Sequence, residues 1–215
     1  MNAGGADFTL FSGECGTGMD AYFLGMPDAA QALLDKEIER INALNPKRVV
    51  TLSLDDLRVL TGGVPGLDAS ALSVPVTGFS AYILELIKND RLVLNNAFRI
   101  AKEIVAFHDG DQGGRFLQDF ETPREVLKLV PGVEYKELFW SKGEAASAGE
   151  SGLIRLLDPS LAEKIARKRM EQIEGRGIDI LVTDSPEAKA QLAAVAFEGL
   201  QVLHIAEFLM SRTYC

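Results

Sequence analysis

The sequence predicts an α/β protein of two related lobes, each a small, mostly parallel sheet flanked by helices. Three observations predict it. Val49-Val50-Thr51-Leu52-Ser53-Leu54-Asp55-Asp56-Leu57 stands 132 residues before Leu181-Val182-Thr183-Asp184-Ser185-Pro186-Glu187-Ala188-Lys189, and both run from β-branched residues through a serine into helix-forming sequence. Short apolar runs alternate with helical periodicity along the chain, which implies parallel strands with helices on both faces. The repeat also extends beyond the opening pair. Val76, Phe79, Ser80 and Tyr82 match Val202, Ile205, Ala206 and Phe208 at an offset of 126, and Ile38 and Ile41 match Met170 and Ile173 at 132. Gly16 falls opposite Gly149.

The elements follow in order. Phe8 to Phe11 is a short apolar run ended by the Gly-rich stretch Ser12–Gly18. Pro27 suits a first helical turn, and Ala32, Leu33, Leu34, Ile38, Ile41 and Leu44 continue at helical spacing. Pro46 ends that helix. Arg48 to Leu52 reads as a buried strand with a helix after Ser53, then a Gly/Pro-rich loop, a strand near Val74–Thr77 and a helix over Ala81–Lys88. The first lobe spans residues 1–92 and reads as cut short at its start, because few residues precede Phe8 and its opening strand has no place.

The second lobe spans residues 93–215. A strand at Ile104–Phe107 leads into the loop His108–Arg115. Thr122-Pro123-Arg124-Glu125 has the form of a capping box with proline at the first helical position. Val133–Leu138 reads as a strand. Glu144–Gly152 reads as a small-residue loop, with high mobility expected between Ser141 and Gly152 and Trp140 anchoring its start. Asp158-Pro159 starts a helix through Ile173. Strand Ile178–Thr183, a helix from Ser185, strand Val202–His204 and a helix over Ala206–Ser211 complete the chain.

Bulk properties narrow the function. The net charge of −9 argues against nucleic acid, whose phosphates call for clustered Lys and Arg. No apolar run approaches the roughly 20 residues of a membrane span, and the N-terminus has no signal-like core. The chain reads as cytoplasmic. Cys15 and Cys215 are its only cysteines, which excludes a disulfide framework and an all-cysteine metal site within one chain.

Candidate site residues sit where strands give way to helices or loops. Ser53 and Ser185 fit helix N-caps, each worth roughly 1 kcal/mol. The alternative is a pair of helix N-termini that bind an anion. His108, Asp109 and Asp111 form the most metal-like cluster and could hold a divalent cation. A single loop supplies too few ligands, and Arg115 could pair with Asp109 instead. Cys15 lies in a Gly-rich loop and could be reactive if exposed near a helix N-terminus. The Gly-x-Gly stretches read as tight turns, and His204 as structural.

These ordered motifs resemble the cysteine-rich "CCG" domain family, found in heterodisulfide reductase and in the iron–sulfur subunits of glycolate oxidase, lactate-utilisation and anaerobic glycerol-3-phosphate dehydrogenase systems. His108-Asp109 with Arg115 resembles the family's His-Asp-Pro-Cys…Gly-Arg loop. Thr122–Leu127 and Val130-Pro131-Gly132-Val133 resemble its helix and turn, and Gly149-Glu150-Ser151-Gly152 the tail of its CCG loop. Leu181–Ala188 resembles its Val-Thr-x-Cys-Pro-x-Cys strand end, and Val202–Leu209 its closing strand and helix.

The resemblance implies two CCG-type lobes and a family whose cysteines bind an iron–sulfur cluster. At the matching positions stand Asp111, Ser147, Ala148, Ser185 and Ala188 in the second copy, and Glu14, Cys15, Ser53 and Asp56 in the first. Clusters are held chiefly by thiolates, so no iron–sulfur cluster is expected. The resemblance implies a degenerate heterodisulfide-reductase-like protein, an accessory or scaffold subunit whose partners are redox subunits such as a flavin dehydrogenase or a ferredoxin-like protein. Self-association as a homodimer stays open. The alternative is a small-molecule or metal-ion binding protein or enzyme that uses the polar residues at former cluster positions, in a crevice between the lobes.

Overall fold

The computed structural model describes residues 4–10, 16–95 and 102–213. The chain forms two compact units, residues 8–79 and residues 1–7 with 80–215.

The first unit opens with helices α1 (Met19–Phe23) and α2 (Pro27–Leu44). Pro27 takes the first position of α2, and Asn45 closes it in the left-handed region at φ 47°. Of the predicted stripe, Leu34, Ile38 and Ile41 are buried and meet the core together with Ala30, while Ala32 and Leu44 are exposed and Leu33 is half-buried. Strand β1 (Val49–Thr51), helix α3 (Leu54–Leu60) and strand β2 (Val76–Gly78) follow. β1 and β2 pair in parallel with Val49 opposite Val76. Met19, Val59, Leu60, Val64 and Leu67 join the α2 stripe in one core. Phe8 to Leu10 takes no regular structure, and Phe11 lies outside the described residues.

Helix α4 (Phe79–Lys88) follows β2 directly. The repeat places it in the first lobe, but all of it after Phe79 belongs to the second compact unit.

The second unit carries strands β3 (Glu103–His108), β4 (Val133–Tyr135), β5 (Ile180–Thr183) and β6 (Gln201–His204). They form a parallel sheet in the order β4-β3-β5-β6. Helices α5 (Glu121–Leu129), α6 (Ile154–Leu157), α7 (Pro159–Glu171), α8 (Pro186–Ala194) and α9 (Ile205–Met210) connect or follow the strands. β5 is buried throughout, as a central strand covered on both faces must be. Ala106 and Leu181 pack in one core with Met170 and Ile173 near α7 and with Ala188 and Leu192 of α8. Across the sheet, Phe107 lies under the Arg124 guanidinium of α5, at 5.5 Å.

Several local expectations change. β4 ends at Tyr135 rather than Leu138. α5 begins at Glu121, with Pro123 at its third residue and no side-chain cap at Phe120. Asp119 Oδ1 accepts from Thr122 N–H instead (3.2 Å), so the Thr122 capping box does not form. Asp158 does cap α7, accepting from Leu161 N–H at 3.0 Å. No helix among the described residues is long and apolar enough to cross a membrane.

Candidate functional site

The second unit gathers its polar residues at the C-terminal ends of β3 and β5, where parallel α/β sheets place ligand sites. The turn after β3 is tight. A Cβ on Gly110 would lie 3.0 Å from Ser185 Cβ and 3.7 Å from Glu150 Oε1, so glycine lets three segments converge.

His108 and Asp109 turn to opposite faces, as consecutive strand residues do. On one side, buried His108 accepts at Nδ1 from Arg169 Nε–H of α7 (3.2 Å). That bond places the imidazole hydrogen on Nε2, which is buried with no partner among the described residues. Burial, and then the charges of Arg169 and Arg115, hold His108 well below its ordinary value, so it is neutral. Burial likewise pushes Arg169 down to about 10, against the charges of Asp109 and Glu150.

On the other side, Asp109 takes a two-point contact from Arg124, both bonds at 2.7 Å. The two side chains are 3% and 1% exposed. Arg124 also reaches Glu137 (2.8 Å twice) and Phe120 O (2.6 Å). Burial works against the Arg124 charge, but the bonds to Asp109 and Glu137 outweigh it and raise its pKa. Lys142 N–H adds a third donor to Asp109 at 2.7 Å.

Asp111 belongs to neither group. Its Oδ1 accepts from Arg115 (2.8 Å) and its Oδ2 from the Ser147 hydroxyl (2.8 Å). The metal-like trio therefore diverges to three sets of partners. Among the described residues no three His, Cys, Asp or Glu side chains gather as a metal site would require.

The loop of small residues is tied down rather than loose. Glu150 Oε2 accepts from Ala148 N–H (2.8 Å), and its Oε1 accepts from Asp111 N–H (3.0 Å). Ser147 Oγ accepts from Gly149 N–H (3.1 Å), and Arg115 donates to Ala145 O (2.9 Å). Burial, then the charge of Asp111, raises the Glu150 pKa. Trp140 anchors the start of this stretch through its carbonyl, which accepts from Arg169 (2.8 Å), while its ring stays exposed.

Ser185 caps α8 as expected, accepting from Ala188 N–H at 3.1 Å. Its neighbour Asp184 is buried, and its Oδ1 has no hydrogen-bond partner among the described residues. Burial and the negative charge of Asp109 push its carboxyl up to about 7. His204 is structural, capping α9 in a reciprocal bond pattern with Glu207.

In the first unit Ser53 holds the cap position of α3 but makes no side-chain cap bond. The glycine equivalence also shifts. A Cβ on Gly149 would lie 2.7 Å from Ala162 O, and one on Gly18 would lie 2.4 Å from Ala30 O. Ala30 and Ala162 match at 132, and both glycines have positive φ. Gly16 has open space around it. Gly18, not Gly16, is the counterpart of Gly149, so Gly16 and Thr17 replace Glu14 and Cys15 as the equivalents of Ser147 and Ala148. Glu14 and Cys15 lie outside the described residues.

Thr17 then gains a role that the sequence alone had not given it. Its hydroxyl donates to Asp56 at 2.7 Å, and Asp56 is the counterpart of Ala188. Sequence reasoning also left out Glu150, Asp184, Arg124 and Arg169 as site residues. Glu150 and Asp184 lie inside the repeated motifs and could have been singled out. Nothing in the spacing pairs Arg124 with Asp109 or Arg169 with His108.

Residues 105–193 match the family model of the CCG cysteine-rich domain. That stretch is similar to a CCG domain and lies within the second unit. The chain is 26% identical over 196 residues to a dihydromethanophenazine:CoB–CoM heterodisulfide reductase subunit of Methanosarcina acetivorans, covering 89% of this chain and 47% of that protein. It is 25% identical over 173 residues to "Probable iron-sulfur-binding oxidoreductase FadF" of Bacillus subtilis, covering 80% of this chain and 24% of that protein. The chain thus spans less than half the length of these two relatives. Among solved structures it is similar to glutamate racemase isoform RacE1 of Bacillus anthracis. The TM-score is 0.40 at 15% identity, over 87% of this chain and 64% of that one, a likeness too slight to argue from.

The side chains of this matched stretch do not fit a thiolate-held cluster. Ala148 and Ala188 carry no donor atom and are fully buried in the core. The Ser147 hydroxyl is engaged by Asp111 and Gly149, and the Ser185 hydroxyl by the first turn of α8. No cysteine is among the described residues.

Proposed function

We propose that this chain is a cluster-less CCG protein that serves as an accessory or scaffold subunit of a redox complex. The observation that carries this reading is Glu150. Its carboxylate takes the Asp111 and Ala148 amides, so the loop that would wrap a cluster is folded around a side chain of its own. The CCG scaffold is kept while the donor atoms are gone. The relative from Methanosarcina acetivorans is by its name one subunit of a reductase, which supports a role beside redox partners such as a flavin dehydrogenase or a ferredoxin-like protein. Iron and acid-labile sulfide, measured after anaerobic purification, are expected to be far below one per chain. Stoichiometric iron and sulfide with a visible chromophore would refute the reading.

One observation favours a second reading, in which the second unit binds a small polar metabolite. His108 Nε2 and Asp184 Oδ1 are buried with no hydrogen-bond partner among the described residues, and such atoms are costly unless something satisfies them. Thermal-shift screening with small carboxylates and other small polar metabolites, repeated on Asp184→Asn, tests it. Stabilisation that Asp184→Asn abolishes supports binding. No shift with any compound rejects it.

A further inference from the structure

The repeat gives the two units the same apolar corner with opposite charge at its rim. Helix α1 leads into α2 in the first unit as α6 leads into α7 in the second. Leu24 stands 132 residues before Leu156, and Pro27 the same distance before Pro159. Both leucines are exposed, at 54% and 67%. Each has exposed apolar company, Met26 in the first unit and Leu157 and Leu161 in the second. One exposed leucine needs no explanation, but a group of them marks an interaction surface.

The rims differ in sign. Asp20 lies one helical turn before Leu24, whose amide donates to the Asp20 carbonyl at 3.1 Å. Asp28 follows Met26 in the first turn of α2. Both aspartates are exposed. At the second corner Arg155 precedes Leu156 in α6, and Lys164 follows Leu161 on the same face of α7. Both of these are exposed too. The acids nearby are engaged within the chain. Asp158 caps α7 through Leu161 N–H (3.0 Å) and takes the Ser160 hydroxyl (3.0 Å), and Glu163 pairs with Arg167 at 2.7 Å. Arg155 and Lys164 therefore set the sign of this corner.

We propose that copies of this chain associate by setting the acidic α1–α2 corner of one against the basic α6–α7 corner of another, with the exposed leucines and Met26 buried between them. The occupant is a second copy because the complementary corner is on the chain itself. An apolar centre with a charged rim is the usual build of an interface, and the rim charges select the partner and the register. The net charge of −9 opposes self-association at long range. The local match acts within the Debye length, about 8 Å at physiological salt. Each copy offers both corners, so the contact closes a ring where the rotation allows and otherwise propagates.

Light scattering on the full chain at physiological salt tests this, with a mass of two chains or more expected. Asp20→Lys with Asp28→Lys reverses the first corner, and Arg155→Asp with Lys164→Asp reverses the second. All four positions are exposed, so both double variants are expected to fold, which circular dichroism checks. Each by itself is expected to be a monomer, because its two corners then carry the same sign. An equimolar mixture of the two is expected to associate again, because every contact between unlike copies joins opposite charges. A monomeric wild type overturns the proposal. So does an assembly that survives either reversal, as one held by another surface or another partner would, and so does a mixture of folded variants that stays monomeric.

Discussion

Thr17 donates to Asp56 at 2.7 Å where the second unit places the buried pair Ala148 and Ala188 in its core. One pair of equivalent positions has thus settled in two ways, as a polar contact in one copy and as apolar packing in the other. Thr17→Ala removes the hydroxyl donor and is expected to cost about 1 kcal/mol. Thr17→Ala with Asp56→Ala reproduces the alanine pair and is expected to cost less than the sum of the single variants. Urea unfolding of the four proteins measures this coupling. Strict additivity would show that the contact contributes nothing.

The Asp109–Arg124 pair is buried and fully hydrogen-bonded. Removing one partner leaves an uncompensated buried charge, at a cost of about 3–5 kcal/mol. Arg124→Met is expected to fall in that range by denaturant unfolding. Arg124→Lys is expected to recover only part of it, because an ammonium cannot make the two-point contact. A loss below about 1 kcal/mol for Arg124→Met, the level of a surface pair, would disprove this.

Asp184 gives a pH dependence. Burial and the charge of Asp109 raise its carboxyl from 3.8 to about 7 in the folded chain. The folded state therefore holds a proton that the unfolded state releases. The contribution is fully present below pH 3.8 and is lost as pH rises through about 7. Asp184→Asn is expected to match the wild type near pH 4 and to be more stable near pH 8. His108 acts in the opposite sense. Held neutral by burial, it loses its contribution as pH falls below its ordinary value. Equal stability of Asp184→Asn and wild type across this range would show that Asp184 is ionised throughout.

The glycine equivalence is testable by alanine. Gly16→Ala meets open space and bears only the left-handed backbone, at about 1–2 kcal/mol. Gly18→Ala and Gly149→Ala meet carbonyl oxygens as well, at 2.4 and 2.7 Å. Both are expected to cost more than Gly16→Ala by thermal unfolding. If Gly16→Ala were the costlier of the two first-unit variants, Gly16 and not Gly18 would be the counterpart of Gly149.

The sequence by itself determined the α/β class, the duplication and the CCG resemblance, because strands, helix starts and repeated motifs are local patterns with fixed spacing. The α2 stripe, the Ser185 and Asp158 caps and the buried β5 run follow from such patterns. It did not determine where His108, Asp109 and Asp111 turn, since their partners Arg169, Arg124 and Ser147 lie 61, 15 and 36 residues away. Nor did it set the glycine register, because Gly16 and Gly18 are alike until the carbonyl of Ala30 distinguishes them. The tertiary structure alone decided these points: which side chains meet at a strand end depends on how the helices pack across the sheet, and no spacing along the chain records that.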